Sequence, residues 1–384
     1  MRRIPLICER IAERCSFEVL RYAHVNGCRL SVGACYKAAA RGDLEMIQWA
    51  LGQADCDWWE VLCSAAAAGG SLRILKWARA NDFPWDRDTC SLAARSGHLE
   101  ILQWLRSEHC PWDSNTCWSA ARGGHLGTLQ WARSNGCHWD RKTCSEAAGA
   151  GRLDILEWAR SKQCPWDSQT CSKAAAGGHL GVLQWVHANG CNLGLGICAS
   201  AAVNGNLEIL QWARENGAAW DSRTIHLAAA GGHLELLQWA RAQGCPWDNL
   251  ACRGAIKGGH LETLKWVVAH GCRRCENAVR LAARGGHLHI LKWMKAYDYF
   301  RPPAGICEEA AIGGHLDVVQ WARANGVNWD SRTCCNAAAG GHLGLLKWAR
   351  ANHCEWDVRT CRDAARWGHL EVLKWARRND CPWD

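Results

Sequence analysis

Thirteen times, at intervals of 27 residues and twice of 28, this chain of 384 residues repeats one phrase: a Gly, usually His, then Leu, and a Trp seven positions after the Gly. The anchors are Gly42, Gly70, Gly97, Gly124, Gly151, Gly178, Gly205, Gly232, Gly259, Gly286, Gly314, Gly341 and Gly368. Cys15-Ser16-Phe17 with Tyr22 adds a degenerate copy one period earlier. A fixed period of this length implies stacked supersecondary units, each unable to bury its apolar face alone. The copies also form an internal alignment.

A chain this long ordinarily divides into two or three domains. The unbroken rhythm predicts instead one continuous stack over residues 15–384, with residues 1–14 as an N-terminal capping helix. Only Arg301-Pro302-Pro303 interrupts it. Two ladders of the repeat hold 23 of the 26 Trp residues, so the aromatic bias belongs to the repeat and not to a cofactor pocket. The net charge of +8 is mild for this length and permits a polyanionic partner without requiring one. Twenty-five Cys would imply disulfides in a small secreted chain. Residues 1–14, however, carry only five consecutive apolar residues before Glu9 and Arg10, too few for a signal peptide. No run approaches the ~18 apolar residues of a membrane span. An intracellular location, cytoplasmic or nuclear, with reduced cysteines and no membrane partner is the expectation.

Residues Thr116 to Asp140 show the pattern of one copy. Helix A is predicted over about Thr116–Arg122, capped by Asp113 or Ser114 and ended by Gly123-Gly124. Helix B is predicted over about His125–Ser134, closed by Asn135-Gly136, and Cys137-His138-Trp139-Asp140 leads to the next N-cap. At 100° per residue, Cys117, Ala120 and Ala121 share one arc of helix A, while Trp118, Ser119 and Arg122 face the other way. In helix B, Thr128, Leu129, Trp131 and Ala132 form a wide apolar arc suited to a helix sandwiched between neighbours.

Thr89, Ala93-Ala94, Gly97-His98-Leu99-Glu100, Ile101-Leu102 and the closing Asn135-Gly136 of the next copy resemble the ankyrin repeat, specifically the short, Trp-rich ankyrin-like repeats of protists, algae and giant viruses. The resemblance covers nearly the whole chain. It implies an all-α fold: an elongated α-solenoid of about 14 stacked helix-turn-helix repeats. It also implies a protein-binding scaffold. The period is 27 where the ankyrin repeat has about 33, and the missing residues are mainly those of the β-hairpin finger. Thr-Pro-Leu-His is absent too, since Cys117, Trp118 and Ser119 follow Thr116. Binding is therefore expected through the helix A face and not through long hairpin fingers.

Several ladders invite a chemical reading. The His ladder, such as His98, His125 and His233, suggests metal binding, but Asp43, Ser71, Arg152 and Asn206 fill the same slot. Like atoms in adjacent repeats also stand too far apart to share one ion, so a bond from the side chain to turn backbone is expected. Cys residues recur after Asn-Gly and again seven residues later, as in Cys110/Cys117, and Phe83, Ala218, Val327 and Ile225 replace individual members. Buried thiols are the primary reading, with disulfides between the seven-residue pairs as the alternative. Cys272-Arg273-Arg274-Cys275 is the only C-x-x-C, and no second one completes a zinc site. Trp residues before Asp, as in Trp112 and Trp139, read as loop anchors or as an exposed row for stacking bases. Arg residues nine past the Gly, as in Arg106 and Arg133, read as an outer stripe paired to those Asp residues or as an RNA contact. No phosphate-binding loop or nucleophile elbow occurs, and neither an enzyme, a cofactor nor a metal is expected.

Partner binding is expected where the copies differ while the frame holds. In the first half these positions are Trp118, Arg122, Glu146 and Lys173. They continue through His226, a basic segment of Arg253, Lys257, Arg280 and Arg284, and the acidic Glu308-Glu309. Asn336, Arg362, Asp363, Arg366 and Trp367 complete the face. The preferred partner is another protein, and RNA or another polyanion on the Arg/Lys rows and loop Trp residues is the alternative. Residues 191–198 and 272–307 lose the Trp-Asp step, and the chain stops at Trp383-Asp384 where a new helix A is due, for which truncation or self-association through that end is the expectation.

Overall fold

The computed structural model describes residues 17–25, 32–52, 61–273, 275, 277–297 and 305–383. The expected capping helix at 1–14, Trp58, Tyr299, Phe300 and the proline pair lie outside them. Among the described residues there are helices, turns and loops and no strand: the fold is an all-α solenoid of helical repeats. The chain forms two compact units, Met1–Gly194 and Leu195–Asp384. Their boundary falls in the 191–198 segment that lost the Trp-Asp step.

Within the first unit, helix A Arg87–Arg95 packs on the next helix A, Ser114–Gly123, which packs in turn on Arg141–Gly149 and then on Ser168–Gly177. Each also lies against its own helix B, such as Leu126–Ser134. The second unit repeats the order from Ile197–Val203 through Ser222–Gly231, Leu250–Gly258, Ala278–Arg284, Ile306–Gly313 and Ser331–Ala339 to Val358–Arg366. Small residues make this row possible. Ala120, Ala121 and Cys117 are wholly buried in the seam between adjacent A helices, where larger side chains would hold the backbones apart. From helix B, Leu129 and Ala132 complete the core.

Helix A begins two residues earlier than the sequence suggested. Asp113, in extended conformation, accepts a hydrogen bond from the Asn115 amide and so starts the helix at Ser114. The same bond recurs at Asp140, Asp167, Asp221, Asp330 and Asp357. Gly124, at φ 81°, closes the helix. Helix B begins at Leu126, with His125 as its N-cap residue. The wheel also needs a correction at Ser119. It is buried, as are Ser91 and Ser145, because the neighbouring A helices flank the seam on both sides.

Candidate functional site

Three ladders are absorbed by the frame. The His ring reaches backward: His233 Nε2 is 3.1 Å from the Val203 carbonyl oxygen, at the end of helix A in the preceding repeat. His260, His287, His315, His342 and His369 do the same at 2.7–3.1 Å. The ring then lies against the preceding anchor glycine. A Cβ on Gly205, itself at φ 72°, would stand 2.4 Å from His233 Nδ1. Where Asp43 or Ser71 replaces His, the side chain caps helix B locally, on the Met46 or Ile74 amide. The slot thus accepts either solution to the same chain turn.

The Arg row departs from the expected pairing with Asp. Arg133 Nη1 donates to the Cys137 carbonyl at 2.9 Å, and its guanidinium lies 4.7 Å from the centre of the Trp139 ring. Arg241 and Trp247, Arg323 and Trp329, and Arg377 and Trp383 repeat the arrangement. Trp139 in turn meets Trp158 of the next helix B edge to face, at 5.5 Å. The Asp residues are occupied elsewhere, as N-caps. Arg and loop Trp therefore satisfy each other, which removes both from the row of free stacking groups that an RNA contact would use.

The cysteines depart from the expected spacing. Cys117 on helix A meets Cys137, twenty residues on and beyond helix B, in a thiol–thiol hydrogen bond. Equivalent contacts join Cys90/Cys110, Cys144/Cys164, Cys171/Cys191, Cys252/Cys272, Cys334/Cys354 and Cys361/Cys381. All these cysteines are free and buried. Cys117 is pushed far up, by that bond first and by burial second, while the same bond holds Cys137 below its ordinary value. Cys272 is held down to about 7 by its bond with Cys252. Lone thiols are simply raised by burial, Cys63 and Cys198 to about 11, Cys245 and Cys307 to about 12. Among the described residues, no three His, Cys, Asp or Glu side chains are grouped to hold a metal.

The helix A positions divide into two groups. Glu146, placed by the sequence on the outer face, is buried at 8% exposure, and Glu308 at 7%. Glu146 sits between bases from both neighbouring repeats, Arg122 at 3.6 Å and Lys173 at 3.2 Å, so three candidate residues form one ion chain. Glu308 pairs with Arg332 at 3.2 Å, and its carbonyl accepts from Asn336. Trp118 donates to Asn115 and lies under Lys142. His226 bonds the Leu250 carbonyl, Arg362 pairs with Asp363, and Arg366 lies near the Trp367 ring. Glu309 is half-buried.

The basic segment is different. Arg253, Lys257, Arg280 and Arg284 are all exposed, and Arg253, Lys257 and Arg284 make no ion pair among the described residues. Arg253 borders a shallow recess with Asn249, Leu250, Cys275, Asn277 and Leu281. Trp367, at 63% exposure, is the most exposed of the described Trp residues.

Residues 198–241 match the family model for ankyrin repeats (many copies). The same pair of short helices, with a left-handed glycine between them, recurs through both units. Among solved structures, the ankyrin repeat domain of human ASB11 is similar at 16% identity and a TM-score of 0.34, over 41% of this chain and 84% of that one. The pentatricopeptide repeat protein PPR10, solved in complex with an 18-nt psaJ RNA element, is similar at 11% identity and a TM-score of 0.40, over 95% of this chain and 67% of that one. Likenesses this distant carry no argument about what the chain binds. No curated protein matches the sequence. Among the described residues, no helix is long and apolar enough to cross a membrane.

Proposed function

We propose that the chain is a non-catalytic scaffold that binds another protein through the outer face of its A helices. One observation carries the reading. The His, Arg, Trp and Asp ladders of the frame are engaged within the fold in copy after copy, whereas Arg253, Lys257 and Arg284 are exposed and make no ion pair among the described residues. Charged side chains that stabilise nothing within the fold are available to a partner, and the adjoining recess supplies shape. The ankyrin resemblance adds support, because ankyrin repeats as a family bind proteins. The RNA alternative draws less support, since the Arg rows and loop Trp residues on which it rested are engaged with one another.

Affinity capture from a lysate, read by mass spectrometry, tests the proposal with the intact chain and with a Lys257→Glu/Arg284→Glu variant. A partner retained by the intact chain and lost from the variant supports this face. Equal capture by both excludes it. A salt titration with generic single-stranded RNA tests the alternative, because phosphate contacts weaken steeply with salt.

A further inference from the structure

The paired thiols are free and buried, and their placement suggests a covalent use. Each pair joins helix A to the loop that follows helix B of the same repeat. Cys117 is wholly buried and Cys137 is 1% exposed, yet Gly136 and His138 on either side are exposed. A local movement of that loop therefore brings Cys137 to solvent without unfolding the repeat. The two residues are neighbours: Cys117 Sγ lies 3.9 Å from the Cys137 carbonyl oxygen, and Cys137 Sγ lies 3.2 Å from that of Asp113, a contact it gives up on turning to Cys117. Among the described residues, seven repeats carry both thiols, and four carry one, opposite Phe83, Ala218, Ile225 or Val327.

We propose that the seven described pairs twenty residues apart are latent disulfides, closed by exchange with a small-molecule disulfide oxidant. The loop thiol loses its proton to solvent, and its thiolate attacks one sulfur of the oxidant, releasing a first thiolate and leaving a mixed disulfide. The helix thiol then loses its proton and attacks the loop sulfur, displacing the second thiolate. Two protein thiols are oxidised by two electrons, and the oxidant is reduced to two thiols. The loop thiol, next to exposed residues, attacks first; in four pairs, those of Cys137, Cys191, Cys272 and Cys354, it is also the member held below its ordinary value, whereas Cys110, Cys164 and Cys381 are raised. Each bond closes a twenty-residue loop around one helix pair and so removes freedom from its unfolded state.

The test uses the full chain, purified reduced and then incubated with glutathione disulfide. Remaining thiols are alkylated under denaturing conditions, and linkages are mapped by mass spectrometry without reduction. The expected map contains Cys90–Cys110, Cys117–Cys137 and their counterparts, with Cys63, Cys198, Cys245 and Cys307 alkylated. Oxidation is also expected to raise the melting temperature, and reductant to restore it. Cys137→Ala, which copies the residue at 218, is expected to leave Cys117 alkylated and the links of the other repeats intact. Links across seven residues, links between copies, or thiols all left alkylated would each overturn the proposal.

Discussion

The Arg and Trp ladders show how much one side-chain pair can settle. Arg stands nine residues past the anchor and Trp fifteen, and wherever the Arg is lost after Gly70 the Trp is lost with it: His187 with Leu193, Val268 with Arg274, Lys295 with Arg301. That joint loss was visible in the sequence and marks the contact. Spacing alone did not reveal it, because the two residues flank a turn whose course was unknown. His187 keeps half of the arrangement, its Nδ1 lying 3.3 Å from the Cys191 carbonyl oxygen. The two side chains should therefore be coupled energetically. A double-mutant cycle of Arg133→Met and Trp139→Leu, read by chemical denaturation, is expected to give a coupling of about 0.5–2 kcal/mol. Additive losses would mean that the stacking contributes nothing.

At the scale of the helix and its caps, the sequence was legible where one residue decides the geometry. Asp as N-cap, Gly as C-cap and the Ala seam could all be read directly. The burial of Glu146 could not, because it depends on bases supplied by two other repeats, Arg122 and Lys173. The two glycine positions of a repeat, both left-handed, also differ in a way that only packing shows. Gly217 has open space around it at φ 79°, and other copies place His109 or Gln163 there at φ 62°. Gly205 has the His233 ring against it. Gly217→Gln is expected to cost about 1 kcal/mol, and Gly205→Ala about 2–5 kcal/mol, from the strained backbone plus a displaced ring. Equal losses in denaturant melts would contradict this account.

The His ladder also ties these elements to pH. Burial lowers the pKa of His287, and the neighbouring His289, His315 and His260 lower it further, against the bond to the Lys257 carbonyl, which raises it. The unfolded chain then takes up the proton more readily than the folded one. The contribution of His287 is thus complete above its ordinary value of 6.5 and lost as pH falls below it. Melting temperatures between pH 7 and pH 5 should fall less steeply for His287→Asn, which adopts the residue found at 206. Parallel slopes would exclude the ring as a source.

For the molecule as a whole, most chemistry-bearing residues form a frame whose members satisfy one another within a repeat or with the next. Stability is then a sum over helix pairs and their neighbours, and the proposed binding face is made of A-helix positions that the frame does not use. The clearest consequence concerns the repeat as a unit. Removing Arg141–Asp167 takes out one full period of 27 residues and joins Asp140 to Ser168, which restores an Asp cap ahead of a helix A. Removing only 141–153 destroys the register. Circular dichroism with thermal melting of the two deletions tests the account most directly. The full-period deletion should keep native helicity per residue and a cooperative melt, while the half-period deletion loses both; similar damage in the two would contradict it.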